Sequence, residues 1–159
     1  MKDLQSIKFW IFDLDNTLYS GNTRVFEQVD KKMTEYISKK LKVDKEEARK
    51  IQKNYFHEYN TTLNGMIKNH KINAHEFLEF VHDINIEFLQ KDPELAKEIK
   101  RLDGIKIIFT NGSRKHALNV TKRLGVDQLF DDIFDIVDCN FIPKPLMEPY
   151  KKLVEKHKI

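Results

Sequence analysis

The chain has a single cysteine, Cys139, among its 159 residues, almost no excess of charge and no apolar run long enough to span a bilayer. Each shortage excludes something. One cysteine rules out an internal disulfide and suits a reducing compartment, with Cys139 read as a small buried residue and not as a nucleophile. Lys and Arg number 28 against 25 Asp and Glu, and a net charge of +3 is too small for the footprint of a nucleic-acid-binding surface. The apolar stretch near the N-terminus is broken at Asp13, too early for a secretory segment or a membrane span. The expected setting is therefore the cytoplasm, with no membrane and no nucleic acid as partner. What is left is an ordinary globular balance, 40% apolar and 33% charged. A chain of this length holds one domain, or one domain with a modest insertion.

The rest of the chain is organised around Phe9 to Tyr19, FWIFDLDNTLY. Phe9 to Phe12 reads as a buried parallel strand that stops at two carboxylates. Side chains alternate along an extended chain, so Asp13 and Asp15 project to one side while Leu14 points into packing. Two carboxylates beside a buried strand call for a cation or a metal that handles phosphate. A strand end followed by a capped turn, with Asn16 and Thr17 in local hydrogen bonds, is the competing reading.

From Leu18 the periodicity turns helical for roughly eighty residues. Val25, Val29, Met33, Tyr36, Ile37 and Leu41 mark the first helix. Asp44, with Glu47 three residues on, caps the second, whose apolar face is Ala48, Ile51, Tyr55 and Tyr59. Asn73 caps a later helix carrying Phe77, Leu78, Val81 and Ile84. His75, Glu79 and His82 share the opposite face of that helix, where a solvated surface is preferred over a metal site. The aromatic residues around Tyr55, Phe56 and Tyr59 are read as packing, with a pocket for a flat ring as the alternative.

Asp92-Pro93 starts a helix with the stripe Leu95, Ile99 and Leu102, and Asp103-Gly104 turns the chain. Ile105 to Phe109 is a second buried strand, running into Thr110-Asn111-Gly112-Ser113 and a helix with Ala117, Val120, Thr121 and Leu124. A strand that ends in hydroxyl, amide and glycine at a helix N-terminus offers an anion site, or ordinary capping by Ser113. Gly125 ends that helix, Ile133 to Val137 is expected to be a third strand, and Pro149 to His157 a last helix. Lys144-Pro145 lies between them.

In this order the elements resemble the haloacid dehalogenase superfamily of phosphohydrolases. Asp13 and Asp15 match its D-x-D-x-T opening, Thr110 its second motif and Lys144 its third. The stretches DLDNTLY, FTNGSRKHA and FDIVDCNFIPKP are most similar to the pyrimidine 5'-nucleotidase branch. The resemblance implies an α/β fold: a Rossmann-like parallel sheet with helices on both faces, formed by residues 1–19 and 92–159, with a helical cap inserted at 20–91. It also implies a phosphomonoester hydrolase that uses Mg2+ held by Asp13 and by the carbonyl of Asp15. Asp13 is then the nucleophile forming an aspartyl-phosphate, Asp15 the acid and base, and Lys144 the neutralising cation. Thr110 and the amides of Asn111 and Gly112 bind the phosphoryl group of a small phosphorylated metabolite. His116 is a neighbour of the site, with only a modest effect expected on its removal.

One departure stands out: nothing after Lys144 matches the family's fourth, acidic motif, and Glu148 and Glu155 lie in the wrong context. The expectation is a C-terminally truncated chain, with an incomplete sheet that leaves Phe9 to Phe12 on an exposed edge. Besides a pyrimidine nucleotidase, the sequence leaves two alternatives. One is a phosphatase or phosphomutase for phosphoglycolate or a sugar phosphate; the other is a noncatalytic fragment that binds a partner.

Overall fold

The computed structural model describes residues 6–159, so the first five residues of the expected core segment lie outside it. Three short strands form a parallel sheet: β1 (Phe9–Phe12), β2 (Ile105–Phe109) and β3 (Asp132–Phe134), in the order β1-β2-β3. Phe12 pairs with Ile108, and Phe109 with Phe134. All three strands therefore end at the same level. The alternation of a strand sends neighbouring residues of β2 to opposite faces. Ile108 packs with Ala117, Val120 and Leu124 of α6 (Arg114–Leu124) and Ile99 of α5 (Pro93–Lys100). On the other face Ile107 and Phe109 pack with Cys139 and with Leu153 of α7 (Met147–His157). The sheet is thus covered on both faces, as expected of an α/β fold. Among the described residues β1 is an edge strand, and Ile11 is half exposed.

Between β1 and α5 run four helices, α1 (Val25–Leu41), α2 (Lys45–Tyr59), α3 (Thr62–His70) and α4 (Ala74–Val81). They share a core of their own, with Val29, Ile37, Ala48, Met66 and Phe77 at its centre and Ile136 reaching in from the loop after β3. Side-chain caps set the helix starts as anticipated: Asp44 accepts from the Glu47 amide, Asn73 from those of His75 and Glu76, and Asp92 from that of Leu95. Gly125 at φ 74° closes α6 in the left-handed conformation that suits glycine.

Three sequence expectations change. The third strand stops at Phe134, not Val137. Asp135 then accepts hydrogen bonds from the amides of Val137 and Asp138, an Asx-type turn that competes with continued pairing. Helix α4 ends at Val81, so Ile84 is not on it but packs from the following loop. The third change is His82. As the C-cap of α4, with φ −95° and ψ 3°, it leaves the helix spiral and turns inward instead of joining His75 and Glu79 on the exposed face.

Candidate active site

The carboxyl ends of parallel strands open a crevice where loops converge, and the expected site residues gather there. Asp13 follows β1 directly and Thr110 follows β2. Lys144 Nζ lies 2.8 Å from Asp13 Oδ1, and the side chains are 17% and 47% exposed respectively. The ammonium is sheltered while the carboxylate stays open to an incoming group. Thr17 Oγ1 donates to Asp13 Oδ2 at 3.0 Å, so the local hydrogen bond of a capped turn and the paired carboxylate are both present. Lys144 also donates to the Phe109 carbonyl and sits 4.7 Å from the centroid of the Phe109 ring.

Asn111 has a role that the sequence pattern did not reveal. Its side-chain oxygen accepts from the Lys144 amide at 2.8 Å and its side-chain nitrogen donates to the Lys144 carbonyl at 3.1 Å. This reciprocal pair fixes the lysine backbone from 33 residues away in the chain. Thr110 is buried, and its hydroxyl accepts from the Gly112 amide at 2.9 Å. A Cβ on Gly112 would stand 3.2 Å from that hydroxyl oxygen and 3.4 Å from the His116 ring, so a side chain here would push these neighbours by a few tenths of an ångström.

Asp15 is the more enclosed of the two carboxylates. Tyr19 Oη donates to its Oδ1 at 2.5 Å, and His116 Nε2 lies 2.8 Å from the same oxygen. An ionised carboxylate only accepts, so Nε2 carries the proton. Burial raises the Asp15 pKa, but the hydrogen bond and charge of His116, aided by Tyr19, outweigh it and leave the carboxyl below its ordinary value. Burial and then the Asp15 charge push the Tyr19 phenol up, so it stays a donor. His82 stacks on His116 with centroids 4.3 Å apart and an interplanar angle of 10°. Burial first, and the neighbouring His116 second, push His82 down to about 3.

Asp13, Asp15, Thr110, Asn111, Gly112 and Lys144 all line one cavity of about 420 Å³ that continues into the helical block. Its far walls are apolar, with Phe26, Val29, Met33, Phe56, Phe77 and Leu78 among them. Of these, Phe26 and Phe56 are partly open to solvent, at 40% and 54% exposed. At the far end Gln52 is buried and donates to the Asp30 carboxylate at 2.8 Å, beside Lys53. Burial raises the Asp30 pKa, yet Arg49 and Lys53 hold it below the ordinary range. Gln52 was legible in principle, being a polar residue on the face of α2 that carries Ala48 and Tyr55. His116 was expected beside the site, but its bond to Asp15 and the places of Tyr19 and His82 were not legible.

The expected metal ligands form an all-oxygen set, the half-exposed Asp13 carboxylate and the Asp15 carbonyl. That suits a hard cation such as Mg2+, which keeps several waters and takes further oxygens from a substrate phosphate. Among the described residues no group of three or more His, Cys, Asp or Glu gathers as a metal cage, and His75, Glu79 and His82 do not converge. Asp135 at the end of β3 is buried and occupied by the amides of Arg114, Val137 and Asp138.

Comparison with known proteins agrees with this geometry. The family model described as haloacid dehalogenase-like hydrolase matches residues 7–159. Phosphate metabolism protein 8 of Saccharomyces cerevisiae is 30% identical over 136 residues, covering 79% of this chain and 42% of the yeast protein. The chain thus spans about two fifths of the length of that curated relative. The crystal structure of the HAD-hydrolase YfnB from Bacillus subtilis, bound to magnesium, superposes with a TM-score of 0.51 at 15% identity, over 94% of this chain and 73% of YfnB. No helix among the described residues is long and apolar enough to cross a membrane.

Proposed function

The chain belongs to the haloacid dehalogenase-like hydrolases, and on that premise we propose that it is a magnesium-dependent phosphomonoesterase working through an aspartyl-phosphate on Asp13, with a pyrimidine 5'-nucleotide as substrate. The observation that carries the reading is the convergence of Asp13, Asp15, Thr110, Gly112 and Lys144 on one cavity, with Lys144 Nζ 2.8 Å from Asp13. Residues 1–19 and 92–159 act as the core and 20–91 as the specificity cap. The setting proposed is the cytoplasm, in keeping with the one buried cysteine.

In the first step an Asp13 carboxylate oxygen attacks phosphorus in line, and the ester oxygen leaves with a proton from Asp15 Oδ2, which the resting carboxylate has first taken up from water while Oδ1 keeps its bonds to Tyr19 and His116. In the second, Asp15 takes a proton from water, which attacks the same phosphorus and frees phosphate and Asp13. Lys144, the Thr110 hydroxyl and the Asn111 amide hold the phosphoryl oxygens, while the Gly112 amide, bonded to Thr110 Oγ1, leaves that hydroxyl's proton to be donated. The Asp13 carboxylate and the Asp15 carbonyl would hold magnesium, which would supply charge neutralisation on the transferred group.

The cavity walls favour a ring-bearing ester over phosphoglycolate or a sugar phosphate. Those two alternatives are polar throughout, whereas Phe26, Val29, Phe56 and Phe77 offer apolar surface. The test is phosphate release from UMP and CMP against phosphoglycolate and glucose 6-phosphate, with magnesium or with EDTA. We expect turnover of the nucleotides that EDTA abolishes and that Asp13→Asn abolishes without loss of the fold. Release of phosphate by Asp13→Asn would overturn the mechanism. A preference for either polar ester would move the substrate to that class.

A further inference from the structure

Asp15 receives both of its side-chain hydrogen bonds on one oxygen. Tyr19 and His116 meet Oδ1 at 2.5 and 2.8 Å. Oδ2 has no hydrogen-bond partner among the described residues, and it lies 3.6 Å from where a methyl group on Gly112 would stand. Two donors from separate elements, one of them 101 residues away in sequence, restrict rotation of the carboxyl group. They leave Oδ2 as the oxygen directed at the Thr110 to Gly112 loop.

The donors are held in turn. His116 is buried on the first turn of α6, its amide bonded to Ser113 Oγ at 3.3 Å. Since Ser113 Oγ accepts there, its own proton is available for His82 Nδ1, 3.0 Å away. His82, at the end of the helical block, thereby lies flat against the His116 ring. Packing alone needs no such alignment of polar atoms, because a buried apolar pair would fill the same space.

We propose that Tyr19 and His116 are positioning residues that aim Oδ2 of Asp15 at the leaving-group oxygen, with His82 holding the His116 ring in place from the helical block. The proposal rests on the reading of Asp15 as acid and base, and it deepens that reading by assigning the proton transfer to one oxygen. It also replaces the modest role expected for His116 from the sequence.

An acid that is wrongly aimed slows departure of an alkoxide but not of a leaving group that needs no proton. The experiment compares kcat/KM, which reports the steps up to phosphorylation of Asp13, for β-glycerophosphate and for 4-nitrophenyl phosphate. His116→Leu and Tyr19→Phe should each lower the value for β-glycerophosphate about 10- to 100-fold, a share of the usual worth of general acid catalysis. The value for 4-nitrophenyl phosphate should fall about threefold or less on the same argument. His116→Gln, whose amide N–H reaches near the place of Nε2, should recover most of the loss. Equal falls on both substrates, or a Gln variant no better than Leu, overturns the proposal, because a merely structural role scales both substrates alike. If His116→Leu does not fold, Tyr19→Phe, which removes one hydroxyl, decides the matter. Turnover by Asp13→Asn is a separate result that refutes the underlying reading of the site instead.

Discussion

His82 gives the stability of this protein a dependence on pH that can be worked from its surroundings. Its pKa is pushed from an ordinary 6.5 down to about 3, with burial the larger cause and His116 the next. The folded state therefore keeps the ring neutral while the unfolded chain takes up a proton. Stability is complete above the unfolded value and is lost as pH falls from about 6.5 toward about 3. Each pH unit in that window costs about 1.36 kcal/mol, so moving from pH 7.5 to pH 5 removes about 2 kcal/mol. Depressed carboxylates such as Asp15 lose their contribution only at lower pH, and comparison with a variant lacking the imidazole separates His82 from the other five histidines. Urea unfolding of the wild type and of His82→Phe at the two pH values is the assay. The phenyl ring keeps the stack on His116 but cannot titrate. Leaving Ser113 without a partner lowers the stability of the variant at both pH values equally, and the pH-dependent difference is the quantity read. If wild type and His82→Phe lose the same stability between pH 7.5 and 5, His82 is not the buried neutral group described.

Lys144→Ala should weaken phosphate binding and lower kcat by about 100- to 1,000-fold, the usual worth of a cation or donor aimed at developing charge, as read by steady-state phosphate release. Gly112→Ala should reduce turnover, read as phosphate release, because the added methyl crowds the Thr110 hydroxyl and the His116 ring, both buried at the crevice. Gly65→Ala should destabilise by about 1 to 3 kcal/mol. A Cβ there would stand 2.4 Å from Tyr55 Cβ, and overpacking between α2 and α3 outweighs the helix propensity gain of about 1 kcal/mol. Denaturation midpoints would read that difference.

Local rules carried much of this molecule. The two carboxylates at the end of an apolar strand, the caps Asp44, Asn73 and Asp92, and the period of α1, α2 and α4 to α6 depend on neighbours within a few residues, so the chain alone determined them. Even the covering of both sheet faces followed from the apolar run Phe9 to Phe12 and the mostly apolar Ile105 to Phe109. Where a boundary failed, a side chain had an alternative partner. Asp135 captured the amides that would have extended β3, and His82 left the spiral of α4 at its cap.

What only the tertiary structure decided is which distant groups share one small volume. The sequence offers the backbone amide of Asn111 to phosphate; that its side chain pairs with the backbone of Lys144 shows only in the fold. His116 reads as a bystander, yet it bonds Asp15 across 101 residues and is stacked by a histidine from another helix. Hydrogen bonds act over about 3 Å, and no periodicity in the chain reports which side chains folding will bring within that distance. The sequence determined the chemical groups of the crevice. Packing of the four-helix block against the strand ends decided how Asp15 is turned and where the apolar cavity lies.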